Sequence, residues 1–234
     1  MTRLINIAIP KSGSGMLAQA IGGEHANIGP SAYKEQPAKP TLRIMREFNE
    51  PFARSHQPYH LEYENLYRER KDKVVFLHRD LRDVIVSHAM YVDKWAGHRS
   101  YFNFPTGKGK FLAKSDDRIL ELIKRSRWLY ERYLGWLEVD FVLPLKYEEL
   151  VNPDGSKNPE GFQKFIDYLG NYAGTLECKS PKQMIDRIDP NSCNTYRKGV
   201  VGDWKNHFKD KHIKIFWQTC GNIMRELGYV NDKL

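Results

Sequence analysis

The chain has few cysteines: three in 234 residues, Cys178, Cys193 and Cys220. The number is odd and no Cys-x-x-Cys occurs, which argues against a disulfide framework and against a cysteine zinc site. No Asn-x-Ser/Thr sequon occurs. Long hydrophobic runs are also missing. The N-terminal apolar run, Leu4 to Ile9, meets Pro10-Lys11 at once, too soon for a signal-peptide core or a membrane span. No internal repeat and no low-complexity tract is found. These absences predict a soluble, cytoplasmic chain.

Hydrophobic residues make up 41% and charged residues 28% of the sequence. That composition fits one compact domain over residues 1–234 with a sizeable core and argues against general disorder. The formal net charge is +8. Such a balance suits an anionic partner: nucleic acid, a membrane surface or a multiply phosphorylated ligand. Charge alone does not choose among them.

Leu4 to Ile9, Val74 to Leu77 and Phe141 to Leu145 read as buried strands. Helical spacing of apolar residues follows over Met16 to Ile21, Asp80 to Val92 and Asp116 to Glu138. Further helices are expected over Pro159 to Leu169, Pro181 to Arg187 and Lys211 to Leu227. Residues 22–50 read as loop with one helix at most, and Gly97 to Lys110 as a long loop. Strands alternating with helices predict an α/β fold with a central parallel sheet flanked by helices. Ligands bind such sheets where strand C-termini meet helix N-termini.

The glycine turn Ile9-Pro10-Lys11-Ser12-Gly13-Ser14-Gly15 lies between a strand and a helix. Backbone N–H groups there can converge on an anion, helped by the helix dipole, with Lys11 adding a charge. It is not a Walker A loop, because the lysine precedes the glycines. The next strand ends in His78-Arg79 rather than an acidic metal ligand, so an ATP-dependent phosphotransferase loses its magnesium site. His78-Arg79-Asp80-Leu81 imitates a kinase catalytic loop, but position 85 is Ile85 and no Asp-Phe-Gly follows. Arg79 and Ser87, two helical turns apart, could share one phosphate.

Near the C-terminus, Arg197-Lys198-Gly199 precedes Gly202-Asp203-Trp204-Lys205-Asn206-His207-Phe208. Cations beside flexible backbone form a second phosphate grip. This stretch resembles the RKGxxGDWKNxF signature of sulfotransferases that use 3′-phosphoadenosine 5′-phosphosulfate (PAPS). Pro10-Lys11-Ser12-Gly13 is similar to that family's 5′-phosphosulfate loop. Arg79 with Ser87 resembles its 3′-phosphate motif, and Tyr147-Glu148-Glu149-Leu150 its YEDL segment. The motifs occur in family order over nearly the whole chain. The resemblance implies a P-loop-NTPase-like sulfotransferase fold, with PAPS as donor and 3′-phosphoadenosine 5′-phosphate (PAP) as product.

Sulfuryl transfer to a hydroxyl needs a base, and histidine suits the task. Eight histidines compete. Ala53-Arg54-Ser55-His56-Gln57-Pro58 resembles the family's K-T-H-x-P segment and picks out His56, with Arg54 and Ser55 in place of lysine and threonine. His60, four residues on, would suit zinc on a helix, but Pro58 argues against a helix there.

The resemblance assigns Ser12, Gly13, Ser14 and Gly15 to the 5′-phosphosulfate, and Arg79, Ser87, Arg197, Lys198 and Gly199 to the 3′-phosphate. Lys11 would steady charge on the leaving oxygen, Tyr147 would contact adenine, and no metal is required. Met16 stands where the family has an adenine-stacking tryptophan, and a thioether offers less stacking area. Gly15 replaces a threonine.

Acceptor pockets in this family form from variable loops, here residues 22–50 and 97–110. The second holds His98, Arg99, Tyr101, Phe102, Phe104 and Lys108, suited to a small-molecule, glycan or lipid acceptor. Lys205 and Asn206 resemble a segment that mediates homodimer contacts in relatives. A nucleic-acid-binding module explains the charge, but not three anion-grip motifs ordered along alternating strands and helices.

Overall fold

A computed structural model describes residues 3–22, 26–28, 39–92, 115–192 and 198–229. The chain divides into two compact units. The first comprises residues 1–79 with 135–201, and the second residues 80–134 with 202–234.

The first unit is built on a five-stranded, all-parallel sheet of order β2-β3-β1-β4-β5. Its strands are β1 Leu4–Ala8, β2 Ala26–Ile28, β3 Phe52–Ser55, β4 Lys73–His78 and β5 Val142–Lys146. β1 is the central strand, with Leu4 paired to Phe52 on one side and to Lys73 on the other. Leu4, Ala8, Phe52, Val75, Leu77 and Leu145 turn to one face. There they meet α1 (Ser14–Ile21) through Leu17 and Ile21, and a helix at Pro159–Leu169 through Phe162 and Phe165. Ile5, Ile7, Val74 and Phe76 on the other face are equally buried. A strand hidden on both faces has no polar side to show, which is why β1 and β4 read as unbroken apolar runs.

The remaining helices of this unit are α2 (Lys39–Glu47) and α3 (Leu61–Arg70), then several after β5. In α3, Tyr63, Leu66 and Tyr67 are buried at helical spacing. His60 caps α3, its Nδ1 accepting from the Glu62 N–H at 3.2 Å. That is the role the structure gives this histidine. Asn158 and Ser180 cap two later helices in the same way, each followed by proline at the first helical position.

The second unit holds α4 (Leu81–Tyr91), α5 (Ser115–Glu131), a 3₁₀ turn at Asp203–Asn206 and a long helix at Asp210–Glu226. Numbered in chain order, Tyr147–Leu150, Pro159–Leu169, Tyr172–Thr175, Pro181–Asp186 and Asp210–Glu226 are α6 to α10. α5 and α10 pack along a seam where Ser126 Oγ meets Cys220 Sγ at 3.1 Å. Lys209 and His212 close the N-terminal end of α10 onto Asp116.

Two expectations are corrected. β2 falls within the stretch read as loop, and β3 lies just beyond it, where the sequence shows no strand. The helix expected over Asp116 to Glu138 ends at Glu131, and Leu134–Glu138 is a separate 3₁₀ turn. The break lets Trp136 bury its ring and donate its indole N–H to the Gln57 carbonyl at 3.2 Å. Among the described residues, no helix is long and apolar enough to cross a membrane. No group of three or more His, Cys, Asp or Glu side chains there could hold a metal ion.

Candidate active site

The turn after β1 is shaped by its backbone. Ile9 N–H extends the ladder to Leu77, and Ser12 N–H folds back onto the Ile9 carbonyl at 3.1 Å. Lys11 adopts φ 73°, a left-handed conformation that non-glycine residues occupy at a cost. Gly13 follows at φ 94° and precedes α1. A Cβ on Gly13 would lie 2.6 Å from Cδ2 of Tyr147, so both the dihedral and the space require glycine.

No side chain caps α1. The first N–H groups of a helix have no acceptors within it, so those of Ser14, Gly15 and Met16 can take an anion. The Ser12 N–H is already committed to Ile9. Ser12 contributes instead a buried Oγ with no hydrogen-bond partner among the described residues. Met16 is half-buried and packs on the core beside Leu17.

Three segments far apart in sequence meet on Tyr147, the first residue of α6. Its ring, 3% exposed, lies against Gly13. Its hydroxyl donates to the Gly199 carbonyl at 3.0 Å. Arg79, just past β4 and 7% exposed, lays its guanidinium 4.4 Å from the centre of the same ring. Arg79 Nη2 also donates to the Val200 carbonyl at 2.6 Å. Thus the turn, the end of β4 and the C-terminal loop are joined in the first unit. Lys198, next to Gly199, is exposed. Arg197 lies outside the described residues.

His56 directly follows β3, the strand beside β1. Its Nδ1 sits 2.7 Å from the Ala8 carbonyl. A carbonyl only accepts, so Nδ1 carries the hydrogen and the neutral ring keeps its lone pair at Nε2. Burial is the largest influence on this imidazole and lowers its pKa to about 4. The Ala8 bond opposes the drop, and the charges of Arg54 and Lys11 add to it. The ring is therefore neutral at pH 7, the form a general base needs.

The second unit explains much of the C-terminal signature. Asp80 caps α4, accepting from the Arg82 N–H at 2.8 Å. It also takes the Arg82 side chain through Nε at 3.0 Å and Nη2 at 2.6 Å. The Arg82 guanidinium lies 3.9 Å from the centre of the Trp204 ring. Asp83, fully buried, accepts from Gly202 N–H and Trp204 N–H, both at 2.8 Å. Asp203 accepts from Asn206 at 3.1 Å and holds His207 at 3.2 Å. Gly202 to His207 is thus fastened to α4 by its polar groups. Ser87 lies half-buried on α4. The sequence reading did not pick out Arg82 and Asp83. Of the proposed acceptor loops, residues 97–110 lie outside the described residues, as do most of 22–38.

No family model matches the chain. In the comparison with solved structures, mouse sulfotransferase SULT7A1 complexed with PAP superposes with a TM-score of 0.60 at 20% identity. The match covers 97% of this chain and 88% of that one. The fold is therefore a sulfotransferase fold, an α/β architecture on a parallel sheet. In sequence, mouse sulfotransferase 2A6 is 28% identical over 183 residues. The 3-alpha-hydroxysteroid sulfotransferase of Cavia porcellus is 28% identical over 180 residues. Each match covers 69% of this chain and 59% of the relative, so the chain spans about three fifths of the length of these relatives. The chain resembles PAPS-dependent sulfotransferases in both sequence and fold.

Proposed function

We propose that the chain, as one sulfotransferase domain acting in the cytoplasm, transfers a sulfuryl group from PAPS to a hydroxyl, or an amine, of a small-molecule acceptor. The observation that carries this reading is the meeting of Gly13, Arg79 and Gly199 on Tyr147. It assembles an uncapped helix N-terminus and two basic segments on one side chain. A donor with phosphates at both ends needs separate anion grips of this kind. Relatives named as sulfotransferases, one of them in complex with PAP, support the same chemistry. The hydroxysteroid in one relative's name supports a small acceptor.

In this reading the N-terminus of α1, Lys11 and the Ser12 hydroxyl take the 5′-phosphosulfate. Arg79, Arg197, Lys198 and Gly199 take the 3′-phosphate, while Tyr147 and Met16 serve the adenine side. His56 receives the acceptor's proton at Nε2 as the acceptor oxygen attacks sulfur in line. The new S–O bond forms as the bond from sulfur to the 5′-phosphate oxygen breaks, leaving PAP. Lys11 and the helix N–H groups stabilise the charge that builds on that oxygen, without calling on a metal.

The test begins with PAP titrated against thermal stability. A ligand specific to the native state raises the melting temperature with dose. The expected result is stabilisation by PAP, little by AMP, and a weaker effect in Arg197→Ala. With PAPS and a small phenol such as 2-naphthol, His56→Ala should lose ~100-fold or more of the turnover while keeping PAP binding. No response to millimolar PAP would overturn the reading.

A further inference from the structure

A base must be held still to be useful, and the chain around His56 is fixed from both directions. Upstream, Ser55 ends β3 in register with Ile7 of β1. Downstream, Gln57 is completely buried and gripped twice. The Tyr67 hydroxyl, from α3, donates to Gln57 Oε1 at 2.7 Å. The Trp136 indole N–H, from the 3₁₀ turn Leu134–Glu138, donates to the Gln57 main-chain carbonyl at 3.2 Å.

Tyr67 and Trp136 are themselves fully buried, with ring centres 6.0 Å apart. Tyr59 extends the clamp. Its ring meets Trp136 edge-on at 5.3 Å and covers Gly135, where any Cβ would clash. Its hydroxyl donates to Glu64 at 2.8 Å.

Glutamine is a poor choice for packing alone. The NH₂ of Gln57 has no partner among the described residues, a loss an apolar side chain would avoid. The carboxamide's gain is the bond to Tyr67. The two grips act on the residue after His56, so they set the direction in which the peptide leaves β3. That direction decides whether Nδ1–H reaches Ala8 and where Nε2 points.

We infer that Tyr67 and Trp136 are positioning residues for His56, acting through Gln57. The inference rests on the reading of His56 as general base. Displacement of a reacting group by about 1 Å can cost on the order of 100-fold in rate. A clamp of two hydrogen bonds on an adjacent residue controls movement on that scale.

The experiment compares wild type with Tyr67→Phe, Trp136→Phe, Gln57→Leu and the double variant Tyr67→Phe/Gln57→Leu. Three quantities are read: PAP-induced thermal stabilisation, kcat with PAPS and 2-naphthol, and the ring-nitrogen NMR signature of His56. The signature, assigned with His56→Ala, reports which nitrogen carries the hydrogen. Tyr67→Phe and Trp136→Phe should each lower kcat about tenfold with PAP stabilisation unchanged. The Nδ1–H form should give way to a mixture. Gln57→Leu should match Tyr67→Phe, and the double variant should be no worse than either, because both remove one bond. A wild-type ring signature and kcat in Tyr67→Phe and Trp136→Phe would overturn the inference. So would a loss of kcat matched by a loss of PAP stabilisation. If wild type itself ignores PAP or leaves 2-naphthol unreacted, the function is misread, and the ring signature alone decides whether the clamp exists.

Discussion

The Tyr147 hydroxyl donates to the carbonyl of Gly199 at 3.0 Å while the Tyr147 ring lies against Gly13. One side chain therefore links the turn after β1 to the C-terminal basic loop. Tyr147→Phe keeps the ring and removes the tie. A net hydrogen bond is worth about 1 kcal/mol, or roughly fivefold in affinity. PAP should bind about that much more weakly, and AMP, which lacks the 3′-phosphate, should be unaffected. Calorimetric titration of both nucleotides checks this.

Gly13→Ala combines a left-handed φ of 94° with a Cβ placed 2.6 Å from the Tyr147 ring. The ring is held by its own hydroxyl and stacked on Arg79, so it has little freedom to yield. A loss of about 1–3 kcal/mol in urea unfolding is expected. PAP stabilisation should fall with it, because the displaced ring carries Gly199 along.

Acid should destabilise the fold through histidines that burial keeps neutral. Burial pulls His56 to about 4 and His78 to about 3, with the charges of Arg54 and Lys11 adding at His56 and those of Lys146 and Lys164 at His78. In the unfolded chain the same rings titrate near pH 6.5. Above that pH neither state binds these protons, and the histidine contribution is flat. Between about 6.5 and 3 the unfolded chain binds more protons, so stability falls as pH falls. Unfolding midpoints measured from pH 7 to 4.5 should show the decline. His56→Gln/His78→Gln should flatten it relative to wild type. On the proposed function, the acid limb of kcat/KM should lie well below 6.5.

Asp83 offers one carboxylate to two backbone N–H groups, those of Gly202 and Trp204. An asparagine side chain would not repeat this, since its NH₂ would oppose one of them; Asp83→Asn should cost about 2–3 kcal/mol. For a chain of this size that corresponds to a melting temperature lower by roughly 5–10 °C. Scanning calorimetry measures it directly.

The legible parts of the fold are those with a local cause. β1 and β4 show as apolar runs because parallel strands are buried on both faces, and the edge strand β5 shows as one although its Pro144 is exposed. β3, Phe52-Ala53-Arg54-Ser55, is short and half polar, so it stands out as a motif leading to His56 and not as a strand. β2 has only three residues and no periodicity to detect. Arg82 and Asp83 look like surface charges in a helix, yet both are buried, because Asp80, Trp204 and two backbone N–H groups satisfy them. Lys11, His56, Arg79 and Tyr147 are marked by motif. The tie from Tyr147 to Gly199 spans 52 residues and leaves no local trace. The clamp on Gln57 draws on α3 and on a 3₁₀ turn 79 residues away, and is equally invisible.

The central place of β1 has a kinetic consequence. Its partners are β3 and β4, and Leu4 pairs with Phe52 and Lys73. The next described strand in sequence, β2, pairs with β3 and not with β1, so on the ribosome β1 emerges before either of its neighbours exists. Contacts of such sequence separation close slowly, at a loop-closure cost that precedes any reward. The turn bearing Lys11 can therefore take its native shape only after β4 has been made. Until then Leu4 to Ile9 is an unpaired apolar strand, the segment a chaperone would be expected to hold.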